Sequence, residues 1–301
     1  MIDYSKKNIN QIVVLGSSGY LGLSFIKYYF NQFESNKNIS LILFSSNYSK
    51  ILEFFKLNNI NYKNLNLGFY KYSEFKDLVK DFKNYVILNF SGYNIFKALF
   101  SLYNYSYKNK LIWDSRINFT SKIIESIIEV GNYPVFFLLP SAVWIYSDSK
   151  ISDYFSKWEN ILNLLKNNSY KIVFRLGVVI DENSSWLKIL NYFFKFNLKP
   201  VFNSNLSFPY IYMNDVLKVI INLINFKYKL SQEELNIFDL FIYTKFNDFI
   251  NFILKEKYPY KKFKSFYISD YLMELFFRDY YKAMFLEYRN DFSNLKEYLK
   301  N

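Results

Sequence analysis

Hydrophobic positions in this chain fall into short solid runs, separated by stretches where apolar residues recur every three or four positions. Ile12 to Leu15 is the first run, and Tyr20 to Phe33 follows with apolar residues at helical spacing. Further runs read SLILFSS at 40–46, NYVILNFSG at 84–92, YPVFFLLPSA at 133–142 and YKIVFRLGVVI at 170–180. Runs without polar alternation suit strands buried on both faces, as in a parallel sheet. Between the later runs, DSRINFTSKIIESIIEV at 114–130 and DYFSKWENILNLLKN at 153–167 carry helical periodicity, and Gly131 stands where a helix-ending glycine belongs. Strand and helix patterns alternate, so the pattern predicts an α/β fold, a Rossmann-type doubly wound parallel sheet with helices on both faces.

Past residue 180 the alternation loosens. SSWLKILNYFFKF at 184–196 reads as an apolar helix, PYIYMND at 209–215 as a short strand running into a helix capped by Asn214, and LNIFDLF at 235–241 as a strand. Helices are predicted from about 245 and from about 269. This last third divides between finishing the sheet and building a small lobe over its rim.

Glycine is scarce, 7 in 301 residues, yet Gly16, Gly19 and Gly22 fall in one G-x-x-G-x-x-G turn between the first strand and the first helix. Glycine there permits φ > 0 and close approach of a ligand or a second backbone. The unpaired N–H groups and positive dipole end of the helix make such a turn an anion site. A dinucleotide-binding turn is the functional reading, and a plain tight strand-to-helix turn the structural one. The contacts expected for the dinucleotide are Gly16, Ser18, Gly19, Tyr20, Leu21 and Gly22. In a doubly wound sheet ligands bind at the carboxyl ends of the strands. That rule places Ser45, Ser46, Asn89, Ser91, Gly92 and Ser141 along one rim.

Composition narrows the chemistry. With no cysteine there is no disulfide, thiolate nucleophile or iron–sulfur ligand, and with no histidine there is no Ser-His-Asp triad or usual zinc set. Proton transfer falls to Tyr, Lys, Asp, Glu or water, and no metal site is expected. The net charge of +12 invites a nucleic-acid reading. The lysines are scattered, however, and even the densest stretch, KEKYPYKKFK at 255–264, reads as a solvated helix end leading into a strand. Nucleic acid is therefore not the expected partner; a small-molecule substrate is. No apolar run reaches the roughly 18 to 20 residues of a membrane helix, and MIDYSKKNIN at the start lacks the apolar core of a signal peptide. The expectation is a soluble, cytoplasmic protein with no membrane partner.

At the end of the second strand an NAD site usually offers an acid to the ribose 2′-OH, about 20 residues past the glycines. Here the segment reads FSSNYSK at 44–50, with no acid, and Ser46 is followed by Lys50 one turn on. This points to NADP, with NAD left open.

GSSGYLG at 16–22, NFSGYNI at 89–95, WDSRINFT at 113–120, PSAVWIYSD at 140–148, SKWE at 156–159, FRLGVVID at 174–181 and PYIYMND at 209–215 occur in an ordered set. That set resembles the YfcH-like group of atypical short-chain dehydrogenases/reductases, often called nucleoside-diphosphate-sugar epimerases. The resemblance runs from about 11 to about 299, where FSNLKEYL is similar to the family's closing helix. It implies an NAD(P)-binding Rossmann domain over 1–183, completed by about 209–240, with 184–208 and 241–301 as a small C-terminal substrate lobe. Two departures are visible: KPVFNSNLS stands where the family has a glycine-rich loop, and Tyr210, Ile211 and Tyr212 stand in place of Trp-Ile-His.

The superfamily moves a substrate proton with a Tyr whose pKa is lowered by a Lys four residues on. Tyr72 with Lys76, Tyr93 with Lys97, Tyr146 with Lys150 and Tyr258 with Lys262 all match that spacing in this Tyr- and Lys-rich chain, so position must decide. By the resemblance, Ser141 falls where a hydroxyl bonds the substrate oxygen, and Tyr154 with Lys157 at i+3 starts the right helix. Arg116 falls where the superfamily often has a structural Asn and can reach a phosphate or carboxylate. Each has an ordinary reading too: a strand-closing serine, a packing aromatic, solvated charges. Two functions follow. One is an NADP-dependent oxidoreductase or epimerase acting on a small carbonyl or sugar nucleotide, and the other a non-catalytic NADP(H)-binding protein.

Overall fold

The computed structural model describes residues 8–33, 39–60, 67–95, 105–203, 206–284 and 295–300. Its strands are β1 (Gln11–Leu15), β2 (Ser40–Phe44), β3 (Leu67–Tyr70), β4 (Tyr85–Asn89), β5 (Phe136–Ala142), β6 (Tyr170–Leu176), β7 (Val178–Ile180), β8 (Leu198–Val201), β9 (Ser207–Tyr212), β10 (Leu235–Leu240), β11 (Ile242–Lys245) and β12 (Lys264–Tyr267). A seven-stranded sheet runs in the order β10-β6-β5-β4-β1-β2-β3, and every pairing in it is parallel. The predicted doubly wound sheet is therefore present. Its central strands are fully buried, as their unbroken apolar runs require: Ile12 to Leu15 and Val86 to Leu88 are 0% exposed.

Helices cover both faces. On one lie α1 (Tyr20–Phe33) and α2 (Tyr48–Leu57), packing Phe25, Ile26 and Phe55 against Ile12, Val14 and Leu88. On the other lie α3 (Phe75–Val79) and, past α4 (Tyr105–Trp113), α5 (Phe119–Val130) and α6 (Lys150–Asn160), whose Phe75, Ile124 and Phe155 meet Val13, Ile87 and Leu139. Even- and odd-numbered residues of β1 thus feed opposite cores, the period of two that a strand imposes. The remaining helices are α7 (Ser185–Lys195), α8 (Met213–Ile224), α9 (Phe246–Lys257), α10 (Asp270–Phe277), α11 (Asp279–Met284) and α12 (Leu295–Lys300).

Several elements differ from their predicted form. The run at 170–180 is two strands, because the chain turns at Gly177 from the large sheet into a small one of β11, β9 and β7. A Cβ at Gly177 would lie 2.9 Å from the backbone of Pro209, so the crossing needs glycine. The helix predicted at 114–130 is longer, and a π-turn at Asp114–Asn118 joins α4 to α5. Gly131 does close α5, in the left-handed region at φ 72. Asn214 does not cap α8. Pairing of Ile180 with Tyr212 carries β9 up to residue 212, so the helix begins at Met213 with Tyr212 at its cap position. The helix at 153–167 starts earlier, at Lys150, and continues past Asn160 as a tighter 3₁₀ segment.

Trp186 of α7 stacks on Phe277 at 5.7 Å and meets Phe208 and Phe246 edge-on, and one apolar cluster runs without a break from Val13 to Ala283. Among the described residues no helix is long and apolar enough to cross a membrane.

Candidate functional site

The glycine turn closes on its neighbours by backbone. Gly16 sits at φ 77, and a Cβ there would lie 2.5 Å from the Phe90 carbonyl carbon and the Ser91 nitrogen. A Cβ on Gly22 would lie 2.5 Å from the Gly16 oxygen, and one on Gly19 3.0 Å from the same atom. Gly16 and Gly22 thus let the turn fold onto itself and onto the end of β4.

Not all of the turn's N–H groups are used in that folding. Gly16 donates to the Phe44 carbonyl at 3.1 Å and to Tyr72 Oη at 2.8 Å, Ser17 donates to Phe44 at 3.2 Å, and Gly19 donates back to Gly16 at 2.8 Å. The N–H groups of Tyr20, Leu21 and Gly22, in the first turn of α1, donate to no group among the described residues. Helix geometry leaves them without intrahelical partners, and the helix dipole makes their position favourable to an anion. The Tyr20 side chain runs toward Asp181, beyond β7; burial, and then that carboxylate, push its phenol pKa up.

The end of β2 carries a polar group on the same turn. Ser45 Oγ donates to Ser18 Oγ at 2.7 Å and accepts from the Asn47 N–H at 2.9 Å. Lys50 Nζ donates to the Ser18 carbonyl at 2.8 Å, so a cation stands directly against the glycine turn. Asn47 caps α2 by accepting from the Lys50 N–H, which fixes where that lysine starts. Ser46 is exposed beside this group.

At the end of β4, Asn89 is completely buried. Its Nδ2 donates to Thr120 Oγ1 at 3.0 Å, its Oδ1 accepts from the Ser91 N–H at 3.2 Å and from the Ser91 hydroxyl, and Trp158 Nε1 donates to the same Thr120 oxygen at 2.9 Å. One strand over, Ser141 is 3% exposed and its hydroxyl has no hydrogen-bond partner among the described residues. Since Leu88 pairs with Leu138, Ser141 stands at the level Ser91 reaches.

Ser141 pairs with Arg175 on β6, and Arg175 with Asp239 on β10. Arg175 grips Glu159 of α6, its Nη2 at 2.8 Å and Nε at 3.2 and 3.3 Å from the carboxylate oxygens, and its Nη1 donates to Tyr146 Oη at 2.7 Å. Tyr146 in turn donates to Asp239 at 2.7 Å. Burial, then the Asp239 bond, push the Tyr146 phenol up to about 12, against the pull of Arg175, and burial raises the Asp239 carboxyl.

The sequence-derived pair in α6 meets in a particular way. Tyr154 stacks flat on Trp113, 4.5 Å between centroids at 10°, and Lys157 Nζ lies 5.9 Å from the Tyr154 ring centroid, over its face. Arg116, in the π-turn, sends Nη1 to the Tyr93 and Ile112 carbonyls at 3.0 and 3.1 Å, lies 5.5 Å from the Trp158 ring centroid, and has Gly92 against it. Burial brings its pKa down to about 10.

All the predicted rim residues therefore gather at the carboxyl ends of β1, β2, β4 and β5. Sequence reasoning missed the lid that Tyr72 forms on Gly16, the role of Thr120 as a shared acceptor, and the Glu159–Arg175–Tyr146–Asp239 chain. Within WDSRINFT, SKWE and FRLG the sequence marks Arg116 and Lys157 as candidates, but not Thr120, Trp158, Glu159 or Arg175.

No family model and no curated protein matches the sequence. Solved structures do match, over nearly the whole chain. The human epimerase family protein SDR39U1 (isoform 2), solved with NADPH, is 15% identical, covers 97% of this chain and 99% of its own, and has a TM-score of 0.65. The chain carries its fold. A nucleoside-diphosphate-sugar epimerase from Staphylococcus aureus is 13% identical over 97% of this chain and 96% of its own, TM-score 0.64. UDP-glucuronic acid 4-epimerase from Bacillus cereus, in complex with UDP-glucuronic acid and NAD, is 11% identical over 86% of each chain, TM-score 0.64. The Rossmann-type sheet predicted from the sequence is thus the fold of these epimerase structures, and at these identities the likeness speaks to fold alone.

Proposed function

We propose that this protein binds a nicotinamide dinucleotide at the glycine turn, NADP in preference to NAD, and acts as an oxidoreductase or epimerase on a small carbonyl or sugar-nucleotide substrate. The observation that carries the reading is the set of free N–H groups on Tyr20, Leu21 and Gly22 with Lys50 held against the adjoining Ser18 carbonyl. Those N–H groups suit a pyrophosphate, and Lys50 and Ser46 suit a ribose 2′-phosphate. Solved structures of the same fold with NADPH and with NAD support it.

A nicotinamide bound along this rim would supply hydride transfer. In this reading the Ser141 hydroxyl bonds the substrate oxygen and Tyr154 or a water gives and takes the proton; in its support, that hydroxyl has no partner among the described residues and Lys157 lies over the tyrosine ring. The second reading, a non-catalytic NADP(H)-binding protein, is favoured by one observation: Tyr154 and Lys157 meet through the ring face, with the ring stacked on Trp113. Unchanged turnover in Tyr154→Phe would remove that residue from the mechanism.

Titration with NADPH and NADH, followed by nicotinamide fluorescence, tests the cofactor. Tighter binding of NADPH is expected, and Lys50→Ala should weaken NADPH about fivefold, the worth of roughly 1 kcal/mol for an exposed charge contact, while leaving NADH unchanged. Equal losses for both nucleotides would refute the role given to Lys50.

A further inference from the structure

Arg116 is a partly buried guanidinium with no acidic partner among the described residues, whereas Arg175 is clasped by Glu159. Burying a cation without a counter-charge is unfavourable unless something else meets it. Its hydrogen bonds are also lopsided. Nη1 serves two backbone carbonyls, those of Tyr93 and Ile112, and so pins the group in place. Nε and Nη2 donate to nothing among the described residues. That pair is the side-on edge of a guanidinium, whose parallel N–H bonds match two oxygens of a carboxylate or phosphate.

The surroundings hold this edge at the strand ends. A Cβ at Gly92 would lie 3.0 Å from the Arg116 Cζ and 3.2 Å from Nη2, so the absence of a side chain there is what admits the guanidinium. Trp158, 5.5 Å away, is fixed through Thr120 to Asn89 at the end of β4. The next residue, Glu159, is fixed through Arg175 to the strand pair that carries Ser141. Two consecutive residues of α6 thus tie the free edge of Arg116 and the unpaired hydroxyl of Ser141 to neighbouring strands.

We propose that this free edge of Arg116 holds an anionic group of the substrate, so that the site takes a carbonyl compound bearing a carboxylate or a phosphate. The inference rests on the reading of Ser141 as the oxygen-binding hydroxyl, but the anion site itself is testable without it. A cation held against Gly92, past the end of β4, with the hydroxyl on the adjacent β5, would orient the carbonyl, since two fixed points define its direction.

The test uses full-length protein labelled at arginine Nε and observed by NMR, which gives one signal each for Arg116, Arg175, Arg278 and Arg289. Arg116→Lys assigns the signal; should that variant not fold, Arg175→Lys, Arg278→Lys and Arg289→Lys assign it by elimination. Inorganic phosphate, acetate and glycerol are titrated at constant ionic strength, with and without NADPH, whose binding is followed by fluorescence in the same samples. The expected result is a saturable shift of the Arg116 signal alone with phosphate or acetate, retained with NADPH bound, and none with glycerol. Response to only one of the two anions identifies the substrate group. A shift produced by NADPH itself, which then blocks both anions, would assign Arg116 to the cofactor's phosphates and overturn the proposal. So would an Arg116 signal that moves no further than those of Arg278 and Arg289. Absence of NADPH binding beside a saturable anion shift would refute the cofactor reading and leave the anion site standing.

Discussion

Deleting a hydroxyl from the core of this protein should lower its stability at one position and leave it unchanged or raised at another. Thr120 Oγ1 accepts from Asn89 Nδ2 at 3.0 Å and from Trp158 Nε1 at 2.9 Å, and both donors are buried. Thr120→Val keeps the shape and strands both, at about 1–3 kcal/mol for each unsatisfied group, so roughly 2–6 kcal/mol in all. Ser141 Oγ is equally buried, 3% exposed against 0% for Thr120, but has no partner among the described residues. Ser141→Ala therefore removes a desolvated group that gains no bond in return, and should leave the protein as stable or up to about 1 kcal/mol more stable. Urea denaturation followed by tryptophan fluorescence measures both. The account requires the midpoint to fall clearly in Thr120→Val and to hold or rise in Ser141→Ala, while any turnover is lost in the serine variant. A functional site that carries an unpaired polar atom at the expense of stability behaves in this way. If Ser141→Ala is destabilised as much as Thr120→Val, the serine hydroxyl has a structural partner and its place in the mechanism falls.

Two further predictions concern the frame around that site. Glu159→Ala should cost about 3–5 kcal/mol, because it leaves Arg175 buried without its counter-charge, and should lower the melting temperature by about 6–10 °C in a chain this long. The shorter bridge from Lys76 to Glu129, 2.6 Å but with both side chains more than half exposed, should be lost without measurable effect on melting; equal effects would mean that burial does not govern these pairs. Gly16→Ala and Gly131→Ala share a left-handed backbone, at φ 77 and 72, yet only Gly16 has backbone within 3 Å of the added carbon. Gly131→Ala should therefore cost about 1–2 kcal/mol from conformation alone and Gly16→Ala clearly more, with circular dichroism melts as the readout; equal losses would refute the close-approach argument.

The sequence made the sheet legible because its strands are buried on both sides and so appear as unbroken apolar runs. It was silent on β3, Leu67–Tyr70, where every residue is half-buried at the sheet edge and no apolar run is needed. The glycine turn was legible because glycine is rare here and each of the three sits where backbone meets backbone. What covers the turn was not: Tyr72 reaches Gly16 across 56 residues, and nothing in local pattern marks it among so many tyrosines. Charge partners were equally hidden. Arg175 and Arg116 look alike in sequence, and only the fold shows that one meets Glu159 while the other meets carbonyls and leaves an edge free. The Tyr–Lys spacing is uninformative in a chain so rich in both residues, and Tyr146, which matches it, also bonds Arg175 and Asp239, far along the chain.

The central claim is that the free N–H groups at the start of α1 receive a dinucleotide pyrophosphate. The most direct measurement is NADPH affinity, by nicotinamide fluorescence, of the wild type beside Gly19→Val, with circular dichroism confirming that the variant is folded. The account predicts NADPH binding by the wild type and its loss in folded Gly19→Val, where the added Cβ would lie 3.0 Å from the Gly16 oxygen and the rest of the side chain would crowd the turn. No binding of NADPH or NADH by the wild type, or undiminished binding by the variant, would contradict it and leave the glycines only the task of letting the turn close on β4.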